Sequence, residues 1–207
     1  MKYKIIFSIV ICFLFAFNSV KADSLETRRD SLIQFVPNIK IIGHSWAVGT
    51  FKGKEEYFKK YGITIDETSE IGTSLSWAYE KLKDVPEGKY DAICLLSGIN
   101  DYKSDIGYIT KMLSNIMELG LSKTPVLFVF NIGYYEPATE MVTIINKWLD
   151  ETEKLNPGLI VVIDIYNEIE ARKKEGFKMS RNGLHPSSYD VLQNLFIYVV
   201  KNHYGLQ

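Results

Sequence analysis

Cysteine is scarce in this chain, and the scarcity limits how the fold can be held. Only Cys12 and Cys94 are present. Cys12 lies in an apolar N-terminal run, so no intramolecular disulfide is expected and stability must come from packing. Cys94, inside the run Ala92-Ile93-Cys94-Leu95-Leu96, reads as a small buried apolar residue. Histidine is as rare. His44, His185 and His203 are scattered, and no Cys or His pair has ligand spacing, so no metal is expected. Positive charge is not in excess either: 24 Lys and Arg stand against 25 acids, for a formal net charge of −1. A nucleic-acid partner would demand a basic stripe, which is missing. No Gly-x-Gly-x-x-Gly follows the first strand-like segment, which argues against a dinucleotide site. No cofactor is expected, and beyond the N-terminal run there is no repeat or low-complexity stretch.

The one long apolar run is at the N-terminus. Lys2 and Lys4 precede Ile5 to Phe17, and Val20-Lys21-Ala22 places small residues at the two cleavage-recognition positions. This is the layout of a secretory signal peptide. The run falls short of the roughly 20 apolar residues that span a bilayer, with an uncleaved anchor as the alternative. The expected organisation is a signal peptide over 1–22 and a single domain over 23–207, secreted or periplasmic, with no stable membrane span after cleavage. Removal of Lys2, Lys4 and Lys21, with no acid among 1–22, would take the formal charge from −1 to −4.

Four continuous apolar runs read as strands buried on both faces: Ile39–Gly43, Asp91–Ser97, Pro125–Phe130 and Leu159–Ile165. Gly62–Ile65 is a weaker fifth. Between them lie amphipathic helical patterns. One follows Gly72 and includes Trp77 and Leu82. A second carries Ile109, Met112, Leu113, Ile116 and Met117, with Gly120 as its expected stop. A third carries Met141, Ile144, Ile145, Trp148 and Leu149, with Pro137 near its start. A final helix is expected from about Pro186-Ser187 through Val199. Alternating buried strands and helices predict crossover connections and a parallel sheet covered on both faces. Ligands of such sheets sit beyond the carboxyl ends of the strands.

Three fragments carry chemistry. Gly43-His44-Ser45 ends the first strand, Gly98-Ile99-Asn100-Asp101 follows a second buried run, and Asn182-Gly183-Leu184-His185-Pro186 lies near the C-terminus. A serine at a strand end, a Gly-x-Asn at another and a late histidine describe an acyl-transfer site, which needs a nucleophile, a base and oxyanion donors. Ser45 is the candidate nucleophile, with helix capping as the commoner fate of such a serine. His185 is the candidate base, because His44 should point away from Ser45 and His203 should lie on the surface. Asp101 is expected to stabilise a turn.

With these motifs in this order, the chain resembles the SGNH (GDSL-type) hydrolases, and the resemblance runs from Ile41 to the terminal helix. It implies a three-layer α/β/α sandwich around a flavodoxin-like parallel five-stranded sheet. It further implies that Ser45 attacks an ester carbonyl while His185 takes its proton. The Ser45 and Gly72 backbone N–H groups and the Asn100 amide would form the oxyanion hole. Two positions depart from the pattern. His44 stands where the family usually has aspartate. Asn182 stands where an aspartate would orient His185, and could serve through its carbonyl oxygen as in Cys-His-Asn sites.

The leading expectation is an exported serine esterase acting on small-molecule or glycan esters, such as O-acetyl groups on carbohydrate. The alternatives are a catalytically impaired binding protein, motivated by Asn182, and an O-acyltransferase using the same serine. Trp46, Tyr102, Tyr134 and Tyr135 are candidate pocket aromatics. Acyl chain length and oligomeric state stay open.

Overall fold

The continuous apolar runs become the strands of one parallel sheet. The computed structural model describes residues 35–133, 135–180 and 183–207. The expected signal peptide over 1–22, together with Tyr134 and Asn182, lies outside the described residues. The strands are β1 (Asn38–Gly43), β2 (Thr64–Ser69), β3 (Ala92–Leu96), β4 (Leu127–Phe130) and β5 (Ile160–Ile163). Their order across the sheet is β2-β1-β3-β4-β5, every neighbouring pair being parallel.

The described residues also form seven helices: α1 (Ser45–Phe51), α2 (Glu55–Lys59), α3 (Leu75–Lys83), α4 (Ile106–Lys123) and α5 (Thr139–Leu155), which lie between strands, and α6 (Ile165–Lys174) and α7 (Asp190–Tyr204), which follow β5. Short 3-10 turns at Ile99–Asp101 and Glu136–Ala138 follow β3 and β4. The two faces of the sheet are covered by different helices. Ile93, Leu95, Leu127 and Val129 point into a core with Leu75, Leu113, Ile116, Ile145 and Leu149 from α3, α4 and α5. Their strand neighbours Cys94, Leu96, Phe128 and Phe130 point the other way, onto Phe51, Phe58, Ile169 and Phe196 from α1, α2, α6 and α7. The period-two alternation of side chains thus feeds two cores at once, giving the three-layer α/β/α sandwich.

Some boundaries depart from the sequence reading. β2 runs on to Ser69, because Thr64-Ile65-Asp66-Glu67-Thr68-Ser69 is an edge strand in which only Ile65 is buried. Its polar side chains serve a neighbour: Lys40 Nζ on β1 donates to Asp66 Oδ1 and Thr68 Oγ1, each at 2.8 Å. Gly120 does not stop its helix. It lies inside α4, where an added Cβ would come within 2.7 Å of Leu127 Cδ2, so the missing side chain lets α4 close onto β4. The last helix starts at Asp190 rather than Pro186. Pro186 instead forms an antiparallel bridge with Met179, and Ser188 Oγ accepts from Asp190 N at 3.2 Å.

The strand ends converge on one edge of the sheet. Gly43 ends β1, Leu96 ends β3 and Phe130 ends β4; His44 alone separates β1 from α1, and Ser97 and Gly98 separate β3 from its 3-10 turn. The connection after β4 is pinned hard: Asn146 Oδ1 accepts from Ile132 N and Asn146 Nδ2 donates to Ile132 O, both at 2.8 Å.

Candidate active site

Ser45 is the first residue of a helix rather than part of an open strand-end turn. The residue that caps this helix is His44. Its Nδ1 accepts from Trp46 N at 3.2 Å, the bond a Ser or Asp side chain makes at this position in most helices. The acceptor role assigns the neutral tautomer with the proton on Nε2. His44 N donates to Leu96 O at 3.0 Å, tying the turn to the end of β3. Gly43 makes the approach possible, since a Cβ there would sit 2.6 Å from Ala47 Cβ and 2.7 Å from Leu96 O. His44 is 5% exposed, while Ser45 is half-buried.

Across the sequence, 140 residues later, His185 meets this serine: Ser45 Oγ and His185 Nε2 are 2.9 Å apart. His185 sits on the irregular segment between α6 and α7. That segment is held by backbone and side-chain bonds. Ser180 N donates to His185 O at 2.7 Å, His185 N donates to Ser180 Oγ at 3.1 Å, and Ser187 N donates to Lys178 O at 3.0 Å. Trp46 adds a bond from the other side, its Nε1–H donating to Leu184 O at 3.0 Å.

The other two predicted donors share one corner. Asn100 lies in the 3-10 turn after β3, and its Nδ2 donates to Thr73 O at 2.8 Å. An amide nitrogen carries two N–H groups, so this bond fixes the side chain and leaves one donor for a ligand. Gly72 lies in the loop before α3 with φ of +80°, and a Cβ there would meet nothing within 4 Å. Only glycine adopts that backbone without strain. The loop is pinned at both ends: Glu70 N donates to Gly43 O at 3.1 Å, and Leu75 N donates to Asp101 Oδ2 at 2.9 Å. Asp101, buried at 6% exposure, is thus spent on holding the start of α3 beside Asn100.

Electrostatics at the pair come from burial. Burial lowers the His185 imidazole below its ordinary value of 6.5. Among the described residues, no carboxylate is hydrogen-bonded to His185 or paired with it. Asp190 opens α7 as an exposed residue. His44 is pushed down from 6.5 to about 4, first by burial and second by the nearby His185. Both imidazoles are therefore neutral at pH 7, which suits His185 to accept a proton. His203 is not a surface residue: it is half-buried, with its ring edge-on to Phe128 at 5.4 Å, and burial lowers its pKa. No group of His, Cys, Asp and Glu among the described residues has the clustering that would hold a metal ion.

A small cavity of about 10 Å³ lies between the ends of β1, β3 and β4, lined by His44, Trp46, Ser97, Ile99, Ile132 and Gly133 among others. Of the candidate pocket aromatics, Trp46 is on its wall. Tyr102 and Tyr135 form an edge-to-face pair at 5.3 Å, and Tyr102 lines a second, open depression with Ile106, Pro137 and Met141. Sequence reasoning missed Trp46 as a tether and Thr73 and Ser180 as anchors. The Trp46 and Thr73 contacts join residues far apart in the chain, and the Ser180 bonds depend on the shape of one turn, so none leaves a local signature.

No protein-family model and no curated protein sequence matches the chain. Solved structures do. The chain is similar to a member of the lipolytic protein G-D-S-L family from Veillonella parvula, with a TM-score of 0.68 at 18% identity over 78% of this chain and 97% of that one. It is similar to the lipase/acylhydrolase from Enterococcus faecalis, with a TM-score of 0.65 at 19% identity over 80% and 96%. It is also similar to the psychrotrophic esterase EstA from Pseudoalteromonas, with a TM-score of 0.64 at 12% identity over 82% and 99%. The five parallel strands, the helices on both faces and these likenesses lead to one conclusion: the chain has the fold of the GDSL-type, or SGNH, hydrolases.

Proposed function

We propose that this protein is an exported serine esterase. The observation that carries the reading is the 2.9 Å contact between Ser45 Oγ and His185 Nε2, made across the sheet edge where ligands of open α/β sheets bind. In this reading Ser45 Oγ attacks the carbonyl carbon of an ester and its proton passes to His185 Nε2. The tetrahedral intermediate collapses, its C–O bond breaks, and the leaving alcohol takes the proton from His185. Water, deprotonated by His185, then attacks the acyl-serine; the C–Oγ bond breaks, the carboxylic acid leaves, and Ser45 Oγ takes its proton back from His185. The developing oxyanion is held by the Ser45 and Gly72 backbone N–H groups and the Asn100 Nδ2–H. Each such donor is worth about 2.7–4 kcal/mol of barrier.

The substrate class is a small ester, such as an O-acetyl group on a small molecule or a carbohydrate. Export follows from the N-terminal pattern, with cleavage after Ala22 leaving a single domain over 23–207. Among the described residues no helix is long and apolar enough to cross a membrane. Motif order alone assigns Asn182 the third role of the site, the support of His185.

One observation favours a second reading. No carboxylate among the described residues supports the His185 imidazolium that forms during attack, and loss of that support costs about 10⁴ in a serine protease. A protein that binds esters in the same crevice with little turnover is consistent with this. An acyltransferase differs only in using a hydroxyl acceptor in place of water. Hydrolysis of a short-chain aryl ester by the native protein and by Ser45→Ala tests the leading reading. Turnover that disappears in Ser45→Ala supports it, and turnover that survives the substitution overturns it.

A further inference from the structure

Trp46 is the residue after the candidate nucleophile, and its side chain does not simply fill the core. The indole spans the gap between two loops. One edge of the ring rests on Gly133 after β4, where an added Cβ would lie 2.2 Å from Cη2, so no larger residue fits beneath it. The other edge presents Nε1–H to Leu184 O at 3.0 Å. The whole residue is 4% exposed. The platform under the ring does not give, because Asn146 clamps both backbone groups of the neighbouring Ile132.

We propose that Trp46 is a positioning residue for His185: its indole N–H holds the Leu184–His185 peptide where the imidazole reaches Ser45. The inference rests on the reading of Ser45 and His185 as the reacting pair. Leu184 O belongs to the peptide unit that carries His185 N, so fixing one fixes the other. Trp46 and Ser45 are consecutive residues of α1. The nucleophile and the anchor of the base therefore ride on one rigid turn, and a shift of that turn carries both together.

The need for such an anchor follows from the rest of the site. His185 lies on a segment without helix or strand of its own, and among the described residues no carboxylate holds its ring. The segment is fixed through its backbone instead, by Ser180 on one side and Trp46 on the other. The Ser180 bonds are local and fix the shape of the turn. The Trp46 bond ties this turn to the residue that follows the nucleophile.

The test is Trp46→Phe, which keeps a ring on Gly133 and removes the donor. A second variant replaces Trp46 with β-(3-benzothienyl)alanine, the same shape with sulfur in place of N–H, in case the smaller ring loosens the core. Expected are a fall in kcat on a short-chain aryl ester of about tenfold to a hundredfold, the penalty of a misplaced catalytic group, and a KM that changes less than about twofold. With ¹³C-labelled histidine, the His185 ring resonance, assigned by its loss in His185→Ala, should shift or broaden while that of His203 stays. A folded variant with native kcat and an unmoved His185 resonance overturns the proposal. So does a loss confined to the thermal midpoint, which would leave Trp46 a packing residue only. If the native protein shows no Ser45-dependent hydrolysis, the esterase reading fails, and the His185 resonance alone decides for or against the tether.

Discussion

Replacing His44 with asparagine isolates the cost of a buried imidazole at the head of α1. Asparagine is among the best capping residues, so its side-chain oxygen can take over the bond from Trp46 N, and the substitution removes the only titrating group at the position. His44 has an ordinary value of 6.5 and is held at about 4 in the fold, by burial first and by His185 second. The sign follows from linkage. Between those two values the unfolded chain binds a proton that the folded protein refuses, so acid favours unfolding. The contribution is fully present above pH 6.5 and is lost as pH falls toward 4. Integrated over that window, the native protein should lose about 2 kcal/mol by pH 5 and about 3 kcal/mol by pH 4 on account of this residue alone. Carboxylates and His203 contribute to both proteins and cancel in the comparison, whereas the smaller part of the lowering that comes from His185 belongs to the His44–His185 pair. Urea unfolding followed by tryptophan fluorescence at pH 7, 5 and 4 reads the difference. The native curve should fall more steeply with acid than that of His44→Asn by about those amounts. Parallel pH dependences would show that His44 is protonated in the fold at no cost, and the capping argument would be refuted.

Asp101→Ala should destabilise the protein by about 1–3 kcal/mol, because it strands the buried N–H of Leu75 without an acceptor, and urea unfolding at pH 7 measures it. Asp101→Asn, which keeps an acceptor, should cost less. The kcat/KM profile should be flat at neutral pH and fall through a midpoint below 6.5, since burial lowers His185 and its neutral form is the base. Asn182→Asp should raise turnover and move that midpoint upward, because a carboxylate favours the charged imidazole. A midpoint unmoved by the substitution would mean that position 182 does not face His185.

The strands were legible because β3 and β4 are fully buried and read as unbroken apolar runs, while β1 and β5 are largely apolar. The fifth, β2, showed only its first residues, since an edge strand with one buried side chain carries no such signal. Three helices went unread for related reasons. α1 holds Gly49 and Thr50 and is capped by a histidine, α2 is mostly charged and α6 buries only Ile165 and Ile169. Gly120 misled because glycine ends many helices, and here it makes room for Leu127. At the site, Ser45, Asn100 and His185 were named from motif order at strand ends, and folding brings Ser45 and His185 within hydrogen-bond reach. The capping role of His44 and the Trp46 tether were not legible. The first depends on which way one side chain turns, and the second joins residues 138 apart.

The most direct test of the account is whether Ser45 is a nucleophile activated by His185. The protein should be treated with a fluorophosphonate and digested, and the modified peptide located by mass spectrometry, alongside Ser45→Ala and His185→Ala. The account predicts one adduct, on Ser45, absent from Ser45→Ala and formed far more slowly in His185→Ala. An unlabelled Ser45 in the native protein, or labelling at the same rate without His185, would contradict it.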